Sequence, residues 1–149
     1  MASRSSLMKI GNAFIKMLLR SLFHPMLSGN MMLVTVKGKK SGKPYTTPVN
    51  YVQDGDEIRV VSQCDRTWWR NLRGGADTHL LLRGREVQAK GEVVEDQKGV
   101  AEQLSLYLAK IPKMARYFGV SLTQDGQLNR DDLFKASSGR VFIIFKLKG

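Results

Sequence analysis

The stretch that decides the fold is Met31–Val52, which reads MMLVTVKGKKSGKPYTTPVNYV. Its first part, Met31–Val36, is a short apolar run with β-branched residues, which is typical of a buried strand. Its last part, Pro44–Val52, is a second strand candidate. Residues 37–43 between them hold two glycines, a serine and four lysines. Such a connection turns the chain back, so the stretch predicts a hairpin.

The basic connection also concentrates groups that recognise anions. Glycines let the backbone approach a ligand closely, and successive N–H groups form an anion-binding concavity. Lysines add point charges for phosphate. Short basic loops are also common on protein surfaces. The loop therefore predicts either a cradle for a phosphate or carboxylate, or a solvated hairpin turn, and composition leaves both open.

Composition indicates one domain over residues 1–149, with 42% apolar and 25% charged residues. A single cysteine excludes an internal disulfide and favours a reducing, cytoplasmic compartment. No apolar run approaches the roughly 20 residues that span a bilayer. Lys9, Lys16 and Arg20 interrupt any apolar core of a signal peptide.

The charge is unevenly distributed. The net charge is +11, and eight lysines and arginines precede the first acidic residue, Asp54. An amino-terminal third without a carboxylate predicts an anionic partner. Nucleic acid, an acidic membrane surface and an anionic cofactor all satisfy that expectation, and charge alone does not choose among them.

The remaining elements follow from periodicity and turn signals. Residues 5–23 have one apolar face, which predicts an amphipathic helix within residues 1–24. We expect this helix either to pack on or beside the β-barrel predicted below or to rest on a membrane surface. Further strands are predicted at Glu57–Ser62, Thr78–Leu82, Glu86–Val94 and Val141–Leu147, and helices at Trp68–Arg73, Gln97–Lys110 and Arg130–Ser138. Six strands joined mostly by hairpins predict an α+β, mainly β chain: a six-stranded antiparallel barrel with flanking helices.

Patterns for metal or covalent chemistry are weak in this sequence. His24 and His79 are far apart, and neither has a partner at metal-ligand spacing. Cys64 has no histidine nearby to stabilise a thiolate. We therefore expect no metal site and assign no catalytic side chain.

Three elements in order carry a family resemblance: Gly38-Lys39-Lys40-Ser41-Gly42, then Thr47-Pro48, then Trp68 with Asn71 and Leu72. With this pattern the chain resembles the deazaflavin-dependent nitroreductase family, whose members are split β-barrel proteins related to the FMN-binding split barrels. The resemblance implies an oxidoreductase that transfers a hydride from a reduced deazaflavin coenzyme to a quinone, enone or nitro compound. Gln63–Thr67 is shorter than the corresponding loop of the best-known branch, so FMN as the cofactor, or a flavin-free ligand-carrier role, stays an alternative.

The resemblance also implies roles for individual residues. Those expected to hold the phosphate and acidic tail of the cofactor are Lys39, Lys40, Ser41 and Gly42. Those expected to line the ring groove are Thr46, Thr47 and Pro48, with Ser62, Trp68 and Asn71 opposite. Those expected on the side of the acceptor are Tyr107, Tyr117 and Phe118. The expected partner is a small-molecule acceptor, bound by a monomer or homodimer. The rival hypothesis is a non-catalytic basic module that binds nucleic acid or an acidic membrane surface.

Overall fold

The fold is mainly β with two α-helices, in a computed structural model that describes residues 31–148. The strands are β1 Met31–Lys37, β2 Pro44–Asn50, β3 Val52–Asp54, β4 Glu57–Gln63, β5 Ala76–Leu82, β6 Arg85–Val94 and β7 Arg140–Leu147. The helices are α1 Gln97–Lys110 and α2 Arg130–Ser137, with 3-10 helices at Trp68–Leu72 and Pro112–Met114. These bounds agree with the predicted strands and helices of the region to within two residues, apart from the second strand of the predicted hairpin.

All seven strands form one antiparallel sheet in the order β2-β1-β5-β6-β7-β4-β3. Strands β2 and β3 lie at opposite ends of that order, yet only Tyr51 separates them along the chain. The sheet must therefore curl until its two ends approach each other, as in a split barrel. The predicted count of six strands was wrong, because Pro44–Val52 divides at Tyr51. The Tyr51 side chain is buried in the barrel core, and the chain turns there from one end of the sheet to the other.

The barrel core is built from the inward positions of alternating strands. The most buried of these include Val34, Val36, Ile58, Val60, Leu80, Ile143 and Phe145. Trp69 and Leu72 of the first 3-10 helix join the same core. Gly91 makes room for this helix, since a Cβ there would lie 3.2 Å from the Leu72 and Phe145 side chains. The Trp68–Leu72 helix is therefore anchored to the barrel rather than lying on its surface.

A second core lies between the two α-helices and the outer face of β4 and β7. Its buried members include Val100, Leu104, Leu108, Leu133, Ala136 and Phe142. The predicted helix starts are confirmed: the Asp96 carboxylate accepts from the Gly99 N–H at 2.8 Å, and the Asn129 side chain accepts from the Asp132 N–H at 3.1 Å. The caps fix where each helix begins, and the buried residues of the second core pack both helices on the barrel.

The predicted helix over residues 5–23 lies outside the described residues, and so does its packing or membrane role. Within residues 31–148, neither α-helix is long and apolar enough to cross a bilayer. The assignment of residues 1–149 to one domain stays a prediction.

Candidate functional site

The connection between β1 and β2, residues 38–43, forms a compact turn that we call the glycine loop. The Gly38 N–H donates to the Lys43 carbonyl and the Gly42 N–H donates to the Gly38 carbonyl, both at 2.8 Å. Gly42 has a φ of +69°, a left-handed conformation that favours glycine. At Gly38 a Cβ would lie 2.7 Å from the Tyr45 ring and 2.8 Å from Ser41 Oγ. Both glycines are therefore required by the shape of the turn.

The glycine loop is tied to the Trp68–Leu72 helix by two contacts of Lys39. Its backbone N–H donates to Asn71 Oδ1 at 3.2 Å, and its ammonium group donates to the Arg73 carbonyl. Asn71 is held in turn, because its Nδ2 donates to the Trp68 carbonyl at 3.1 Å. The structure thus brings together Lys39, Lys40, Ser41, Gly42, Trp68 and Asn71, which the sequence placed in one cofactor site. The ammonium of Lys39 already has an acceptor, so Lys39 acts as a tie between the two elements.

The tip of the glycine loop keeps free donors. Within residues 31–148, the backbone N–H groups of Lys40 and Ser41 donate to no protein acceptor. Among the ion pairs of this region, Lys40 and Lys43 have no acidic partner. The hydroxyl of Ser41 accepts from the Lys43 N–H at 3.2 Å and lies 3.3 Å from the Tyr45 hydroxyl. Two N–H groups and two ammonium groups therefore remain for an anion at this exposed tip.

Strand β2 divides the predicted groove residues between two faces. Tyr45 pairs with Val36 and Thr47 pairs with Val34, and both partners lie in the barrel core. Thr47 and Tyr45 therefore face inward, since directly opposed residues share a face. Thr46 faces outward, where its hydroxyl shares a hydrogen bond of 2.9 Å with that of Thr35. Pro48 shares the outward face of Thr46, so only Thr47 of the predicted trio points toward the barrel interior.

Ser62 lies near the 3-10 helix, and Trp68 is the first residue of that helix. Ser62 is buried on the inward face of β4, where it pairs with Val141, and its hydroxyl donates to the Gln63 carbonyl at 3.2 Å. The same carbonyl accepts from Trp69 Nε1 at 3.3 Å. Trp68 is half-buried against the barrel core. Ser62 therefore lies near the helix at Trp69, while the carbonyl of Trp68, the first residue of the helix, holds Asn71, which binds the glycine loop.

The three residues predicted for the acceptor differ in accessibility. Tyr107 and Phe118 are 3% and 8% exposed, and their rings meet edge to face with centroids 6.1 Å apart. Burial raises the pKa of the Tyr107 hydroxyl, which stays neutral there. Tyr117 is 75% exposed and is the one of the three that an external molecule reaches. The acceptor role of this trio stays a prediction, and burial favours a packing role for the other two.

Sequence reasoning missed two contributors to the loop. Tyr45 lies beside Gly38 and Ser41, and its ring is 49% exposed next to the loop tip. Its inward position could have been read from the alternation of β2. The Arg73 carbonyl, which accepts from Lys39, leaves no signal in the sequence because any residue type supplies it.

An anionic, ring-bearing cofactor fits these features. The loop tip offers free donors and unpaired charge, as a phosphate requires. Adjacent to it, Tyr45, Thr47 and Val49 occupy successive inward positions of β2, and Thr47 and Val49 are only partly buried. Trp68 is likewise partly buried and packs on the same core as Val49. Partly exposed aromatic and aliphatic groups of this kind suit a flat ring.

Comparison with known proteins agrees with this fit. The family model for F420H(2)-dependent quinone reductase matches residues 19–118, which is more than half of the chain. No curated protein matches. Among solved structures, one similar protein is a protein of unknown function from Agrobacterium tumefaciens, with a TM-score of 0.55 and 16% identity over 81% of this chain and 49% of that one. Another is the FAD and heme binding protein from Mycobacterium smegmatis, with a TM-score of 0.51 and 12% identity over 82% of this chain and 63% of that one.

These two likenesses show the shared fold alone, and this chain spans less than two thirds of either protein. The family match is independent of them and includes the glycine loop, β2 and the Trp68–Leu72 helix. The chain therefore belongs to the F420H(2)-dependent quinone reductase family, as the resemblance to the deazaflavin-dependent reductases predicted.

Proposed function

We propose that this chain is an oxidoreductase that binds reduced deazaflavin coenzyme and presents it to an electron-poor small molecule, such as a quinone, enone or nitro compound. Membership of the family supports the enzyme class and the coenzyme. When bound, the deazaflavin supplies the hydride, and the protein supplies binding and orientation. The observation that carries the proposal is the glycine loop, whose free donors and lysines are fixed by Lys39 beside the Trp68–Leu72 helix.

In this proposal the glycine loop binds the phosphate and acidic tail of the coenzyme. The N–H groups of Lys40 and Ser41 donate to phosphate oxygens, and the Lys40 and Lys43 ammonium groups balance the charge. Hydrogen bonds to charged groups contribute about 1.5–3 kcal/mol each, so a few of them supply much of a micromolar affinity. Because Lys39 is tied to the helix, the loop does not have to be ordered at the moment of binding, which lowers the entropic cost.

The inward face of β2 holds the ring in the same proposal. Tyr45 and Thr47 point to one side of the strand, and Trp68 packs on the same barrel core. These side chains orient a flat ring and keep water from one of its faces. Thr46 and Pro48 face away from this position and act only through the strand they belong to.

Fluorescence titration of the protein with deazaflavin coenzyme, beside FMN, tests the proposal. We expect saturable binding of the deazaflavin at a lower concentration than FMN, and oxidation of the reduced coenzyme when a quinone is added. A lower dissociation constant for FMN than for deazaflavin would instead identify FMN as the cofactor. Salt-sensitive binding of DNA or acidic vesicles, with neither coenzyme bound, would favour the basic-module hypothesis instead.

The single cysteine supports the further proposal that the enzyme works in a reducing, cytoplasmic compartment. Peripheral membrane contact through residues 1–24 stays a prediction about a segment outside the described residues. A vesicle sedimentation assay with the full chain tests this contact. Sedimentation of the protein that increases with the acidic lipid content of the vesicles would support it.

A further inference from the structure

A cleft borders the Trp68–Leu72 helix, and none of its lining residues belongs to the glycine loop. Its volume is about 410 Å³, and it is open to solvent on one side. Its walls come from the end of β4, the 3-10 helix, the connection from β6 to α1, and the turn from α2 into β7. The charged groups among its lining residues are Arg70, Arg73, Arg140 and Glu95. We call it the arginine cleft.

The arginine cleft carries an excess of positive charge. Glu95 is its single carboxylate, and it already forms a two-point pair with Arg73 at 2.8 and 3.0 Å. This pair raises the pKa of the Arg73 guanidinium, which stays charged. The guanidinium groups of Arg70 and Arg140 have no carboxylate partner within residues 31–148. Two positive charges therefore remain uncompensated in one concave site.

Aromatic rings and backbone carbonyls hold these guanidinium groups in place. Arg140 lies 5.1 Å above the Phe118 ring and donates through one nitrogen to the Ala136 carbonyl at 2.6 Å. Arg70 lies 5.7 Å from the Trp69 ring, and Arg73 lies 5.0 Å from the same ring. Each guanidinium has five N–H donors, and contacts of this kind use few of them. The arginines are thus positioned while most of their donors remain available.

We propose that the arginine cleft is a second anion site, which binds a small ligand bearing a carboxylate or phosphate group. Planar guanidinium groups recognise these oxyanions through paired N–H donors, and Ser138 at the rim adds a hydroxyl. The site is distinct from the glycine loop because its lining includes no residue of 38–43, although Arg73 borders both: its carbonyl accepts from Lys39 and its side chain lines the cleft. This inference goes beyond the proposed reductase activity and does not depend on it.

Trp69 provides the readout, because Trp68 and Trp69 are the only tryptophans of the chain and Trp69 lines the cleft. The experiment titrates the full chain with inorganic phosphate and with succinate at constant ionic strength, and follows tryptophan emission without any coenzyme. We expect saturable binding of at least one ion. Arg70→Gln should raise its dissociation constant about tenfold, as loss of one charge-assisted contact predicts.

Two further variants make the test specific. Glu95→Gln should tighten binding several-fold, because it removes the only carboxylate and frees the donors of Arg73. Arg85→Gln removes an exposed arginine from the start of β6 and should leave the constant unchanged. The proposal fails if Arg70→Gln and Arg85→Gln bind alike, or if emission responds only to ionic strength. It also fails if deazaflavin coenzyme displaces the bound ion competitively, since the ligand would then share the coenzyme's own site.

Discussion

Asn71→Ala tests whether the glycine loop is fixed by the Trp68–Leu72 helix. Asn71 accepts from the Lys39 N–H at 3.2 Å and donates to the Trp68 carbonyl at 3.1 Å. An intramolecular hydrogen bond contributes about 0.5–1.5 kcal/mol net, so losing two should lower the free energy of unfolding by about 1–3 kcal/mol. At roughly 2–4 °C per kcal/mol for a chain of this size, the melting temperature should fall by about 2–12 °C.

The assay combines thermal unfolding with a deazaflavin titration. Asn71→Asp is the matched control, because it keeps an oxygen that accepts from Lys39 and loses only the donor to Trp68. We expect Asn71→Ala to lower the melting temperature more than Asn71→Asp does, since only the alanine releases the loop. Coenzyme affinity is compared between Asn71→Ala and the parent, because the carboxylate of Asn71→Asp itself repels the anionic end of the coenzyme. An unchanged melting temperature together with an unchanged affinity in Asn71→Ala would refute this account of the loop.

Four other substitutions test the packing, a pKa shift and the orientation of β2. Gly91→Ala should destabilise the protein by about 1–3 kcal/mol in urea unfolding, because the added methyl group crowds the barrel core where the 3-10 helix is seated; a neutral effect would show that this helix can move away. A hydrogen bond from the Ser121 side chain holds the Asp132 pKa below its ordinary value of 3.8, so the stability it contributes is present above that value and is lost as the pH falls through the lowered pKa. The melting temperature of Asp132→Asn should therefore lie below that of the parent at about pH 6 and approach it at about pH 2, whereas a constant difference would contradict the assignment. Thr47→Leu should weaken coenzyme binding, while Thr46→Val should leave it nearly unchanged because that side chain faces outward; equal effects would contradict the inward groove.

Local patterns predicted most of the elements because each is encoded by nearby residues. The caps of α1 and α2 are side chains that hydrogen-bond three residues ahead, so the start of each helix depends only on residues next to it in the sequence. The glycine loop was predicted for a similar reason, since its turn depends on its own glycines. The division of the second strand at Tyr51 could not be predicted, because it depends on which end of the sheet each half joins.

The site was predicted less completely than the fold. The sequence grouped Thr46, Thr47 and Pro48, although neighbouring residues of a strand point to opposite faces. Tyr107 and Phe118 were predicted to lie on the side of the acceptor, but their rings are buried against one another. The arginine cleft could not be predicted as a site, because Arg140 and Glu95 join the neighbouring pair Arg70 and Arg73 only in the folded chain.

The most direct test of the central claim is coenzyme affinity after neutralising the tip of the glycine loop. The double substitution Lys40→Ala, Lys43→Ala is compared with Lys98→Ala, Lys113→Ala, which removes the same charge from exposed positions on α1 and beyond its end. Fluorescence titration with deazaflavin at low salt should show the loop variant weakened tenfold or more, by about 1.4 kcal/mol or greater, and the control nearly unchanged. Equal affinities for the two variants would contradict the assignment of the glycine loop to the anionic end of the coenzyme.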